Sequence, residues 1–229
     1  MHGSRMVVAG LLVPVLCPAA ARADIIGVGG SAMLIPRPAD AQLGVLTSNT
    51  TAFAWNEAQG VTLAAPMTID AAAPGMYGSA LSFVFDTIGA GSVVSSHFIH
   101  FDTVGGSFQT VEGSVTFDAD ILGVIAWNRQ EARHLDESDA AFGLGTIFST
   151  EVARRGVFDV GDGTQGGEDW FTISPDQRTL AFHLQVSTPF DEIRVLTVPE
   201  PAGLAALSLL GFAAFRRRRP AATNVSADR

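Results

Sequence analysis

Apolar and polar residues alternate most cleanly late in the chain, where Leu180, Phe182, Leu184 and Val186 are separated by Ala181, His183, Gln185 and Ser187. A repeat of two puts one set on a single face of an extended chain, so this segment predicts a strand with one buried side. Ser174-Pro175-Asp176-Gln177 supplies a turn just before it, and Asp169 to Ser174 should therefore pair with Thr179 to Ser187 as a hairpin. Shorter apolar runs predict strands at Val61 to Ile69, Leu81 to Phe85, Val93 to Asp102, Ser107 to Asp118, Ile121 to Trp127 and Ile193 to Val198, with Gly105-Gly106 turning the chain before Ser107. Arg129 to Ala141 breaks the pattern with Glu131, Arg133, Asp136, Glu137 and Asp139, and predicts a helical turn. Asp24 to Asn49 is rich in Gly and Pro and reads as partly irregular, the strand signals starting after it. Short strands divided by Gly, Asp and Pro turns predict an all-β fold, a two-sheet antiparallel sandwich with the jelly roll among its forms.

Both ends of the chain carry a different pattern. Arg5 is followed by an apolar run from Met6 to Ala21, then Ala21-Arg22-Ala23 and Asp24. That order predicts a signal peptide over residues 1–23, cut by signal peptidase after Ala23 at an A-x-A site. Pro14 and Pro18 interrupt the run, which falls short of a membrane span. The single cysteine, Cys17, lies inside it, and Pro14-Val15-Leu16 ahead of it lacks the residues of a lipobox. The cut chain would hold no cysteine, which excludes disulfides, thiolate metal sites and cysteine nucleophiles.

The other end reads Val198-Pro199-Glu200-Pro201, an apolar run Ala202 to Phe215, then Arg216, Arg217, Arg218 and Arg219. Two prolines keep a helix from starting before Pro201 and hold the tripeptide extended, as a peptidase needs. The run predicts a transmembrane helix over 202–215 of roughly 21 Å, short of the hydrocarbon core of about 30 Å. Arginines stay on the cytoplasmic side and act as a membrane stop, leaving the preceding residues outside. The expected organisation is a signal peptide 1–23, an ectodomain 24–197, a tail signal 198–220 and a polar cytoplasmic remainder 221–229.

Charge separates the ectodomain from its ends. Of 229 residues none is lysine, and Asp24 to Val198 holds 14 Asp and 7 Glu against 7 Arg, an excess of 14 negative charges. Such a surface repels phosphate backbones and argues against nucleic-acid binding.

The order Pro199-Glu200-Pro201, short apolar helix and arginine cluster closely resembles the PEP-CTERM sorting signal, over Val198 to Pro220. The resemblance implies that Val198, Pro199, Glu200 and Pro201 form the recognition motif of an exosortase, a membrane processing enzyme of Gram-negative bacteria. It further implies delivery to the cell surface or extracellular matrix, often beside exopolysaccharide. The stretch from His97 through Gly113-Ser114-Val115-Thr116-Phe117-Asp118, Ile121 to Ile125 and Ser138-Asp139 also looks like a domain that recurs in PEP-CTERM proteins. That domain brings no activity with it.

Candidate chemistry in the ectodomain is sparse. Ser95, Ser96, His97, His100 and Asp102 are triad-type residues, but neighbours on a strand face opposite ways and no G-x-S-x-G elbow occurs. His97 and His100 are three apart, which on a strand sets them on opposite faces. A carboxylate pair for glycoside hydrolysis would need a separation that sequence does not give. Calcium is the better hint: Asp159, Asp162, Glu168 and Asp169 fall on a Gly-rich loop, and Asp118 and Asp120 flank a strand end ahead of Asp136 to Asp139. Asp and Gly also build ordinary solvated turns, and neither group has EF-hand spacing. The sequon Asn49-Thr50-Thr51 is a chance match in a bacterial setting. Two function classes follow. One is a non-catalytic surface or matrix protein contacting carbohydrate through aromatics such as Trp55, Trp127 and Trp170; the other is an exported hydrolase acting on polysaccharide through paired carboxylates.

Overall fold

Alternation in Thr179–Val186 is realised over most of its length: Leu180, Phe182 and Leu184 are buried and Ala181 and His183 partly exposed, but Gln185, expected on the outer face, is buried too. The computed structural model of the chain describes residues 22–78, 83–106, 108–127, 133–150, 155–157, 169–186 and 190–199. In chain order the strands are β1 (Ile25–Gly30), β2 (Ala32–Leu34), β3 (Asp40–Ala41), β4 (Ala52–Thr62), β5 (Met67–Ile69), β6 (Gly75–Tyr77) and β7 (Asp86–Ile88). They continue with β8 (Val93–Asp102), β9 (Gln109–Phe117), β10 (Ile121–Ile125), β11 (Ile147–Phe148), β12 (Trp170–Ile173), β13 (Thr179–Val186) and β14 (Phe190–Thr197). One α-helix, α1 (His134–Phe142), lies between β10 and β11.

The fold is mostly β, in several sheets. One five-stranded sheet runs β1-β9-β13-β12-β6 and a second runs β10-β14-β8-β4-β2, with the pairs β3·β11 and β5·β7 at the side. Every pairing in the first sheet is antiparallel. The second departs from the antiparallel expectation at its edge, where β2 runs parallel to β4. The expected hairpin is present, with Trp170 opposite His183 and Ile173 opposite Leu180.

β4 begins at Ala52 and β14 at Phe190, both earlier than the sequence reading places them, and three further differences have a physical reason. Val61 to Ile69 is not one strand: β4 ends at Thr62 and β5 starts at Met67, after a bend at Ala64-Ala65 that leads into Pro66. Phe83 to Phe85 forms no strand, and pairing begins at Asp86. The Gly-rich start is irregular only in part, as expected at residues 35–39 and 42–51, but strand pairing already begins at Ile25–Gly30. In β1, Gly29 faces Ser114 so closely that a Cβ there would sit 2.7 Å from Ser114 Oγ. Glycine is present because the partner strand is close, and it hides the alternation that a side chain would have shown.

One apolar cluster draws from both large sheets, joining Val115, Phe117, Phe171, Leu180 and Phe182 to Ile99, Phe101, Ile193 and Val195. A second contains Trp55, Phe98, Ile125 and Leu196 together with Leu135 and Phe142 of α1. The second sheet is therefore covered on both faces, and β14 is buried along its whole length. Among the described residues no helix is long and apolar enough to cross a membrane.

Candidate functional site

Covering both faces of β8 and β14 forces their polar side chains to find partners inside the protein. Arg194 on β14 is fully buried and grips Glu57 of β4 bidentately, Nε to Oε2 at 2.8 Å and Nη2 to Oε1 at 2.7 Å. The same guanidinium donates to Asp139 of α1 at 2.8 Å, to the Leu135 carbonyl at 3.1 Å and to Ser138 Oγ. Its plane lies over Phe98, 4.9 Å from the ring centroid. Ser96 Oγ completes the Glu57 shell at 2.6 Å.

Arg155 repeats the device beside it. Its Nε donates to Glu192 at 2.5 Å, and Nη1 reaches Asp136 at 2.7 Å and Asp139 at 2.5 Å. Burial acts to raise the Glu192 carboxyl, but Arg155 and His100 outweigh it and hold the group below the usual carboxylate range. Burial likewise opposes the charge on Arg194, and Glu57 and Asp139 reverse that effect. Helix α1 has no side-chain cap at its start, so these two arginines pin it to the sheet. Asp136, Asp139 and Arg155 also line a cavity of about 440 Å³ with Phe148 and Thr146.

A second polar group lies at the start of α1. Asp70 is fully buried; its Oδ2 accepts the backbone N–H groups of Ala126 and Trp127, both at 2.7 Å, and its Oδ1 lies 2.6 Å from His134 Nδ1. A carboxylate so placed fixes Nδ1 as the protonated nitrogen and leaves Nε2 for another partner. The Asp70 hydrogen bond raises the His134 pKa, against the opposing effect of burial. His134 and Glu137 line a cavity of about 300 Å³ whose walls include Leu63, Pro66 and Met67.

The domain's two ends meet a single loop. Asp24 N–H donates to Asp118 Oδ1 at 2.7 Å, and Asp118 N–H donates back to the Asp24 carbonyl at 3.1 Å. Val198 N–H donates to the Asp120 carbonyl at 3.0 Å. Between them, Asn56 takes Ile25 N–H on Oδ1 and gives Nδ2 to Asp24, and its Oδ1 also meets His97 Nδ1.

The sequence-predicted residues take the following places. Ala23 is buried, its N–H on Gln59 Oε1 at 3.0 Å, whereas Ala21 lies outside the described residues. Val198 is exposed and Pro199 buried; Glu200, Pro201, the helix 202–215 and Arg216 to Arg219 lie outside the described residues. So do Asp159, Asp162 and Glu168 of the calcium group. Asp169 is buried and caps Gln185 N–H at 2.6 Å. Among the described residues no three His, Cys, Asp or Glu side chains are grouped to hold a metal. Asp118 and Asp120 do not join Asp136 and Asp139: the first two serve Asp24 and Arg178, the second two Arg155 and Arg194.

The triad-type residues are likewise dispersed. Ser95 Oγ accepts Gly60 N–H, Ser96 bonds Glu57, and Asp102 accepts Gly44 N–H at 2.6 Å. His97 packs on Phe117, while His100 faces Trp55 and Phe190, so the two point opposite ways. Trp55 is fully buried against Phe98 and cannot meet a ligand, which corrects its placement among surface aromatics. Trp127 and Trp170 are partly exposed, the latter stacked on His183 at 5.7 Å. Sequence reasoning missed Glu57, Asp70, His134 and Arg194. The one available signal was Glu192 and Arg194, two charges two residues apart on the strand Phe190–Thr197. Comparison with known protein families, characterised proteins and solved structures returns no match for this chain.

Proposed function

We propose that this chain is an exported protein of the bacterial envelope, cut after Ala23 by signal peptidase and handled at Val198 to Pro201 by an exosortase. In this reading its β domain, a jelly-roll-like sandwich, serves at the cell surface or in the matrix as a structural, adhesive or carbohydrate-contacting element without catalysis. The helix 202–215 and Arg216 to Arg219 hold the intermediate in the inner membrane, and calcium at Asp159, Asp162, Glu168 and Asp169 braces one loop. The observation that carries the reading is the convergence of Asp24 and Val198 on the loop Asp118 to Asp120. A domain whose chain enters and leaves at one corner suits two tails processed at one membrane. Glu57, Glu192 and Asp139 are all engaged by arginine, which further supports a non-catalytic role for these acids.

Mass spectrometry of the surface-exposed protein tests this. The expected species begins at Asp24 and lacks Arg216 to Arg219; a mature form that keeps those arginines defeats the processing reading. A second reading, an exported hydrolase, draws on His134, whose imidazole is oriented by Asp70 beside a cavity that also holds Glu137. Loss of polysaccharide cleavage in His134→Ala, in a protein that cleaves when unaltered, would favour it.

A further inference from the structure

We propose that Asp118 is the docking site of the N-terminus that processing creates: once the chain is cut between Ala23 and Asp24, the α-ammonium of Asp24 forms an ion pair with the Asp118 carboxylate. This rests on the cleavage reading above and adds a destination for its product. Water splits the peptide bond, the hydroxyl going to the Ala23 carbonyl carbon and a proton to the Asp24 nitrogen. The amine so formed has an ordinary pKa of about 7.7–8.0 and is charged at neutral pH.

The seat for that charge exists before the cut. The Asp24 nitrogen is already 2.7 Å from Asp118 Oδ1, and the Asp24 carbonyl accepts Asp118 N–H, so residue 24 is held at two points. The Asp24 side chain, the other carboxylate near the new amine, is turned to Asn56 Nδ2 at 3.1 Å. Arg178 gives Nη1 to the Asp118 carbonyl at 3.1 Å and Nε to Asp120 Oδ1 at 2.9 Å. Asp118 Oδ1 thus faces the Asp24 nitrogen directly. Cleavage gives up the Ala23 N–H bond to Gln59 and turns an amide-to-carboxylate hydrogen bond into an ion pair in which donor and acceptor are both charged. A chain left uncut, or cut elsewhere, lacks the pair. Correct processing is in this way recorded where β1 joins β9.

The sequence makes the test specific. The chain has no lysine, so the α-amine is the sole aliphatic amine of the mature protein and an acylating reagent reports on it alone. Protein recovered from cells exporting the full chain is expected to begin at Asp24 by intact mass. At pH 8 its amine should acylate about fivefold more slowly folded than in urea, as a rise of about one pKa unit requires. Asp118→Asn should restore the rate to near the urea value and lower Tm by about 2–4 °C. A start at Asp24 with equal folded and unfolded rates overturns the docking and leaves the cleavage standing. A start at any other residue overturns both. Should Asp118→Asn fail to fold, the wild-type ratio decides alone.

Discussion

His97 ties the last residue of β14 into the core: its Nε2 lies 3.0 Å from Thr197 Oγ1, while its Nδ1 lies 2.8 Å from Asn56 Oδ1. Asn56 Oδ1 already accepts Ile25 N–H, so it is an acceptor, Nδ1 carries the proton and Nε2 receives the Thr197 hydroxyl. A hydrogen-bond relay therefore runs from Asp24 through Asn56 and His97 to Thr197.

The relay requires a neutral imidazole, and burial pushes the His97 pKa down to about 3. The unfolded chain binds a proton near pH 6.5 that the folded chain refuses. Stability from this residue is thus complete above about pH 6.5 and is lost as pH falls toward 3. Urea midpoints across that range should fall steeply in the wild type and less steeply in His97→Gln.

Arg194 and Glu57 are both fully buried, so removing one strands the other. Arg194→Met should cost about 3–5 kcal/mol by urea denaturation. Adding Glu57→Gln should return part of that loss. A loss in the double variant equal to the sum of the two single losses would show that the pair is not coupled.

Gly29 is fixed by its neighbour across the sheet. Gly29→Ala places a methyl 2.7 Å from Ser114 Oγ and should cost about 1–3 kcal/mol. Ser114→Ala alone should be near neutral and should relieve much of the Gly29→Ala penalty when combined with it.

Asp70→Ala leaves the Ala126 and Trp127 amides without their acceptor and should cost about 2–4 kcal/mol. His134 has a raised pKa, so its contribution is complete below about pH 6.5 and fades as pH rises through the folded value. His134→Gln should flatten the stability profile over that interval, while Asp70→Ala both lowers and flattens it.

The fold was legible where one face of a strand meets water. β13 keeps its period of two because His183 and Ala181 look outward, and the turn at Ser174 to Gln177 fixes its hairpin. β4 was largely missed because it is covered on both sides, so Ala52 to Gln59 mixes apolar and polar residues without alternation. β1 was missed because Gly27 and Gly29 stand where side chains would mark the faces. The charged network was not legible because acids on a chain this acidic read as surface. Glu57 and Asp70 owe their burial to Arg194 and His134, 137 and 64 residues away. Pairings at such separations leave no local trace in the pattern.

The loop Asp118 to Asp120 has a mechanical consequence. A pull applied between the two ends enters at Asp24 and leaves at Val198, and both hang from the same three residues. The load crosses a few hydrogen bonds at one corner instead of shearing the paired sheets along their length. Pulled at Asp24, the domain would yield first by peeling β1 from β9, while the arginine-pinned helix and the second sheet stayed whole.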